Sequence, residues 1–214
     1  SRCRPGRSLM LPRLVLIADR FTQPDVADRA FEAASAGIPW VMLRDRESPP
    51  AEIARAADDL TQRLLQLEPA PLLSVTASLT IAASLHLNLH LGSRDVSVAE
   101  AREVLPSTSI LGYSAHAVDE VAALANEVDY LFVSPVFETV HRPGVAPLGL
   151  DGLRELVDAA RGKPVFALGG VRPEHVALCV DAGAHGVAVV SGILSAARPA
   201  DAARAYLDRL SDFD

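Results

Sequence analysis

The chain has 214 residues, 50% of them hydrophobic and 22% charged, with a formal net charge of −7. One domain with a sizeable core fits that length, and the acidic balance argues against nucleic acid or an anionic membrane surface as the main partner. No stretch approaches the roughly 18 apolar residues of a spanning helix, and 2 cysteines are too few for a disulfide framework or a four-ligand zinc site. A reduced, cytoplasmic protein is expected. Ser1 to Met10 carry Arg2, Arg4 and Arg7 but no apolar h-region, so they read as a leader or appended remnant rather than a signal peptide. The expected domain covers residues 11 to 214.

From there on, short apolar runs alternate with segments of helical periodicity. Leu14–Ala18 precedes a helix over Val26–Ala36, whose start is signalled by Asp25. Trp40–Leu43 precedes Ala51–Leu67, and Leu72–Val75 precedes Leu79–Ser84. Leu85–Leu89 then leads to Val98–Leu105, and Ile110–Tyr113 to Val118–Asn126. Tyr130–Val133 leads to Leu150–Ala160, Val165–Leu168 to Pro173–Ala182, and Gly186–Val190 to Ala197–Leu210. Runs this short and this continuously apolar suit parallel strands buried on both faces. Eight such units predict an α/β fold, a single-domain (β/α)8 barrel. A doubly wound open sheet competes, but its glycine fingerprint does not follow the first run.

A barrel of this kind builds its active site at the C-terminal ends of the strands. That rule selects Arg44-Asp45-Arg46, His90 to Asp95, Ser114-Ala115-His116, Ser134 to Thr139, Gly169-Gly170-Val171 and Ser191-Gly192-Ile193. Small residues after the last two runs let backbone N–H groups converge on one anion, so Gly169, Gly170, Ser191 and Gly192 are candidate phosphate binders. A valine at Gly170 is expected to intrude on that pocket and leave the fold intact. Arg44 and Arg46 are candidates for a second anionic group; the alternative is that they counter Asp45 and Glu47.

These segments, with Leu43-Arg44-Asp45-Arg46, His90-Leu91-Gly92 and Val136-Phe137-Glu138-Thr139 among them, resemble the thiamine phosphate synthase/TenI superfamily in order and spacing from about residue 14 to 208. The resemblance implies a (β/α)8 barrel, a homodimer and a small phosphorylated substrate. Within the superfamily the synthase joins a pyrimidine pyrophosphate to a thiazole phosphate, with magnesium on the pyrophosphate. Alignment on His90-Leu91-Gly92 puts Val75 and Thr76 where the synthase has an Asn-Asp pair, while Asp95 matches its next acidic residue. Thr139-Val140-His141-Arg142 replaces Thr-x-Thr-Lys, and Arg44-Asp45-Arg46 replaces Arg-Glu-Lys. One carboxylate makes a poor magnesium site.

These departures, and the likeness of Val136–Thr139 and His116 to TenI-like proteins, rank a thiazole tautomerase first. Such an enzyme moves a proton between carbons, which suits His116 as acid and base, with Ser114 and Glu138 beside the substrate and Glu138 as the next proton carrier. It requires no cofactor and no metal. Thiamine phosphate synthase ranks second, and a non-catalytic regulatory barrel that binds thiazole phosphate third. His90 reads as a packing and hydrogen-bonding residue, Asp95 as an arginine partner, and Cys179 as a small core residue. His86, His175 and His185 receive no role, and a substrate contact from His141 has no support.

Overall fold

The computed structural model describes residues 11–139 and 144–213. The expected leader, Cys3, His141 and Arg142 lie outside the described residues. Eight strands are present: β1 Leu14–Asp19, β2 Trp40–Arg44, β3 Leu72–Thr76, β4 Asn88–Leu91, β5 Leu111–Ala115, β6 Tyr130–Val133, β7 Val165–Leu168 and β8 Gly186–Val189. They close into one parallel barrel in that order, and β8 pairs back to β1 with Leu14 opposite Val187.

Side chains alternate across each strand, so every second residue enters the barrel. Val15 and Ile17 of β1, with Trp40 and Met42 of β2, join Tyr130, Phe132 and Phe166 in an interior cluster. Leu14, Leu16, Ala18, Val41 and Leu43 face outward into a second apolar shell beneath the helices. The same alternation carries Asp19, Arg44, Thr76, His90, Ser114 and Ser134 to the inner side near the C-terminal rim, where all of them line one cavity. The site therefore follows from strand parity.

The helices are α1 Pro24–Ser35, α2 Pro50–Leu64, α3 Leu79–Ser84, α4 Val98–Val104, α5 Val118–Leu124, α6 Gly149–Ala159, α7 Val176–Asp181, α8 Ser191–Leu194 and α9 Pro199–Leu210. Proline opens α1, α2 and α9, where its missing N–H costs nothing. Ser97 and Glu100 form a reciprocal capping box on α4. Ala30, Ala33 and Ala34 of α1 are buried, which is how a chain poor in aromatics brings a helix close to its barrel. None of the described helices is long and apolar enough to cross a membrane.

Several boundaries differ from expectation. Asp25 does not cap α1; Gln23 occupies the cap without a side-chain bond, and Asp25 sits in the first turn. Leu85–Leu87 is not strand but the turn after α3: Leu85 N–H returns to Ile81, Leu87 N–H to Ala82, and His86 has φ +56°. Leu87 is buried in the outer shell, so its apolar character reports helix packing rather than a strand. The expected Ala197–Leu210 helix is α9, and a short helix that was not expected, α8, precedes it directly after β8.

Candidate active site

A cavity of about 460 Å³ opens at the C-terminal rim of the barrel. Ile17, Met42, Phe132, Leu168 and Ala188 supply its apolar lining. Beneath lies an aromatic layer in which Tyr130 meets Trp40 and Phe166 edge to face, at centroid distances of 4.9 and 5.7 Å. The His90 ring lies 4.4 Å from Phe132. Burial, helped by the positive charge of Arg46, pulls the His90 pKa down to about 3. His90 is therefore a neutral, hydrogen-bonding residue of the wall, as its position suggested.

On one side of the cavity stand Gly169 and Gly170, with φ of +93° and +65°, and Ser191-Gly192 at the start of α8. The Gly169 carbonyl accepts from the Phe137 N–H at 3.0 Å. Ser191 and Gly192 occupy a first helical turn, where N–H groups lack intrahelical acceptors. All four residues line the cavity. The expected effect of a Gly170 side chain is corrected, however. A Cβ there would lie 2.3 Å from the Glu138 carbonyl oxygen and 2.8 Å from the Phe137 Cβ, so it would enter the loop after β6 instead of the pocket.

The side that adjoins it, from β1 round to β4, is charged. Arg20, Arg44, Arg46 and Arg94 line the cavity with Asp19 and Glu47. Arg44 pairs with Asp19, and Arg20 with Glu47 at 3.0 Å. Arg46 grips Asp95 through both guanidinium nitrogens, each at 3.0 Å. Neither arginine of the Arg44-Asp45-Arg46 segment counters Asp45. Asp45 is buried and accepts from the Thr22 and Ser48 hydroxyls and from the N–H groups of Glu47 and Ser48. Burial raises its pKa, but these four bonds outweigh that and hold the carboxyl below its ordinary range. Asp45 ties the loop together and leaves the arginines to the cavity.

His116 stands exposed at the mouth, donating from Nδ1 to the Ser134 carbonyl at 2.9 Å, while its backbone N–H binds Glu120 at 2.7 Å. Ser114 lines the wall; Glu138 is exposed and does not. Sequence reading missed Asp19, Arg20 and Thr76 as lining residues. Continuing the inward parity by one residue past each apolar run would have found Asp19 and Thr76.

The donors do not fit a magnesium ion. Asp95 spends both oxygens on Arg46 and on the Gly92 N–H, and its side chain is 4% exposed. Asp19 and Glu47 are each paired with arginine. Thr76 Oγ1 is buried without a hydrogen-bond partner, but a lone neutral hydroxyl does not replace carboxylates. No group of three or more metal-ligating His, Cys, Asp or Glu residues occurs among the described residues.

A family model described as thiamine monophosphate synthase matches residues 14–193. The chain belongs to that family. Among its relatives, the thiamine-phosphate synthase of Acidothermus cellulolyticus is 32% identical over 95% of this chain and 97% of its own length. The thiamine-phosphate synthase of Gloeobacter violaceus is also 32% identical over 95% of this chain, which spans only 59% of that longer protein. The thiamine phosphate pyrophosphorylase of Pyrococcus furiosus superposes with a TM-score of 0.82 at 25% identity, over 94% of this chain and 96% of its own. The family's barrel is thus the fold observed.

The comparisons overturn the ranking of a thiazole tautomerase over a synthase. Relatives at 32–37% identity over most of the chain are named thiamine-phosphate synthases. Val75 belongs to the outward shell beneath the helices. Thr76, aligned with the acidic member of the pair, faces the cavity without a carboxylate.

Proposed function

We propose that the chain is a thiamine-phosphate synthase, a transferase that joins hydroxymethylpyrimidine diphosphate to thiazole phosphate. The single observation that carries this reading is one cavity lined both by glycine and serine backbone after β7 and β8 and by arginines after β1, β2 and β4. The thiazole phosphate takes the Gly169-Gly170 and Ser191-Gly192 wall, where N–H groups suit a phosphate. The diphosphate takes the wall of Arg20, Arg44, Arg46 and Arg94, with Ser114 beside it. Guanidinium groups match phosphate oxygens in pairs and keep their charge at any working pH.

In the reaction the bond from the pyrimidine methylene carbon to the diphosphate oxygen breaks, and the diphosphate leaves with the electron pair. The thiazole ring nitrogen forms the new bond to that carbon with its lone pair. The arginines stabilise the negative charge gathering on the leaving group, which is where electrostatic catalysis gains most. The apolar lining from Ile17, Met42 and Phe132 keeps water from competing for the electron-poor carbon. His116, at the mouth, holds the Ser134 carbonyl at the rim.

The experiment supplies both substrates, with magnesium and with a chelator, and follows thiamine phosphate and released diphosphate. Equal amounts of both products are expected. No product under either condition, with each ligand still bound, would instead identify a binding barrel without turnover.

A further inference from the structure

Three neighbouring strands place an uncommon row of side chains at one level of the barrel. His90 of β4 is in register with Gly112 of β5, and Gly112 with Tyr130 of β6. Glycine leaves no side chain between them, so Tyr130 reaches across β5 and its hydroxyl lies 3.0 Å from His90 Nδ1. The other ring nitrogen, Nε2, lies 2.8 Å from the hydroxyl of Ser114, one inward position further along β5. Ser114 lines the cavity, whereas Tyr130 is wholly buried.

The protons in this row have only one consistent arrangement. The Tyr130 hydroxyl has no described partner but Nδ1, and burial raises its pKa well above the ordinary value, so it keeps its proton. A buried O–H without an acceptor is costly, so Tyr130 donates and Nδ1 is unprotonated. His90 is neutral, so its proton sits on Nε2 and is donated to the Ser114 oxygen. The Ser114 proton is thereby left for an acceptor in the cavity.

We propose that Tyr130 and His90 are positioning residues that fix the imidazole tautomer and so hold Ser114 as a hydrogen-bond donor to an anionic oxygen of the ligand. This rests on the diphosphate reading above. Without Tyr130 the tautomer is free to reverse, Ser114 then donates to His90, and the ligand loses its donor.

The test uses inorganic diphosphate as probe, titrated calorimetrically into the whole chain and the variants Ser114→Ala, Tyr130→Phe and the double variant. Ser114→Ala is expected to weaken binding about tenfold, the scale of one charge-assisted hydrogen bond. Tyr130→Phe, which lies behind the cavity lining, should weaken it several-fold, and the double variant should bind no worse than Ser114→Ala alone. Nitrogen NMR of His90 in the unaltered chain should show a protonated Nε2 and a bare Nδ1. A protonated Nδ1, or losses that add independently, overturns the relay. Failure of the unaltered chain to bind diphosphate overturns the diphosphate reading itself, which the tautomer measurement distinguishes from failure of the relay.

Discussion

Gly112→Ala is a severe test of how the wall of the cavity is built, although the change is one methyl group. The added Cβ would lie 2.0 Å from Tyr130 Cζ and 2.4 Å from both ring Cε atoms. Carbon atoms prefer about 3.5–4.0 Å, so the ring must retreat by roughly 1.5 Å. It has little room to do so, because Trp40 and Phe166 pack edge-on against it and it is fully buried. Overpacking of this kind costs about 1–3 kcal/mol, and losing the buried bond to His90 adds about 1–3 kcal/mol. Replacing a strand glycine returns roughly 0.5–1 kcal/mol of chain entropy. The net expectation is about 1–5 kcal/mol, or roughly 2–20 °C in Tm for a domain of this size. Urea and thermal unfolding measure it. In a Tyr130→Leu background, which removes the ring atoms in conflict, the same substitution should cost less than about 1 kcal/mol. A loss below about 1 kcal/mol beside the intact tyrosine would refute the claim that Gly112 makes room for the Tyr130–His90 contact.

Gly170→Val should destabilise the protein by about 3 kcal/mol or more, because φ +65° and the nearby Glu138 carbonyl both exclude a side chain; thermal unfolding beside a phosphate titration separates this from a purely local loss of binding. Diphosphate affinity should be the same with magnesium or a chelator, and a loss that magnesium restores would mean that Asp95 leaves Arg46 to take the ion. Stability should fall as the pH drops from about 6.5 towards 3. His90 is held near 3 in the folded protein, so the unfolded chain binds the extra proton across that window, worth roughly 1.4 kcal/mol per pH unit. Burial lowers the pKa of His185 as well, so the contribution of His90 is read as the difference between the stability profiles of the parent and His90→Gln. An unchanged acid limb in that variant would contradict a buried, neutral His90.

Much of the architecture was legible in the residues alone. Short apolar runs in alternation with amphipathic segments specify strands buried on both faces, and eight of them leave a closed parallel barrel as the fold. The rule that sites gather at strand C-terminal ends selected Arg44, Arg46, Ser114, His116, Gly169, Gly170, Ser191 and Gly192, all of which line the cavity. It also selected Glu138, which does not, because the loop after β6 turns that side chain outward. Partnerships were another matter. Arg44 meets Asp19 on the neighbouring strand, and Arg46 after β2 reaches past β3 to Asp95 after β4; no local pattern encodes which rim charges face one another. Gly112 carries no motif, and its meaning exists only once His90 and Tyr130 flank it in register. Local sequence determines period and side-chain polarity within each strand; the stagger between strands, fixed when the barrel closes, decides which of those side chains meet.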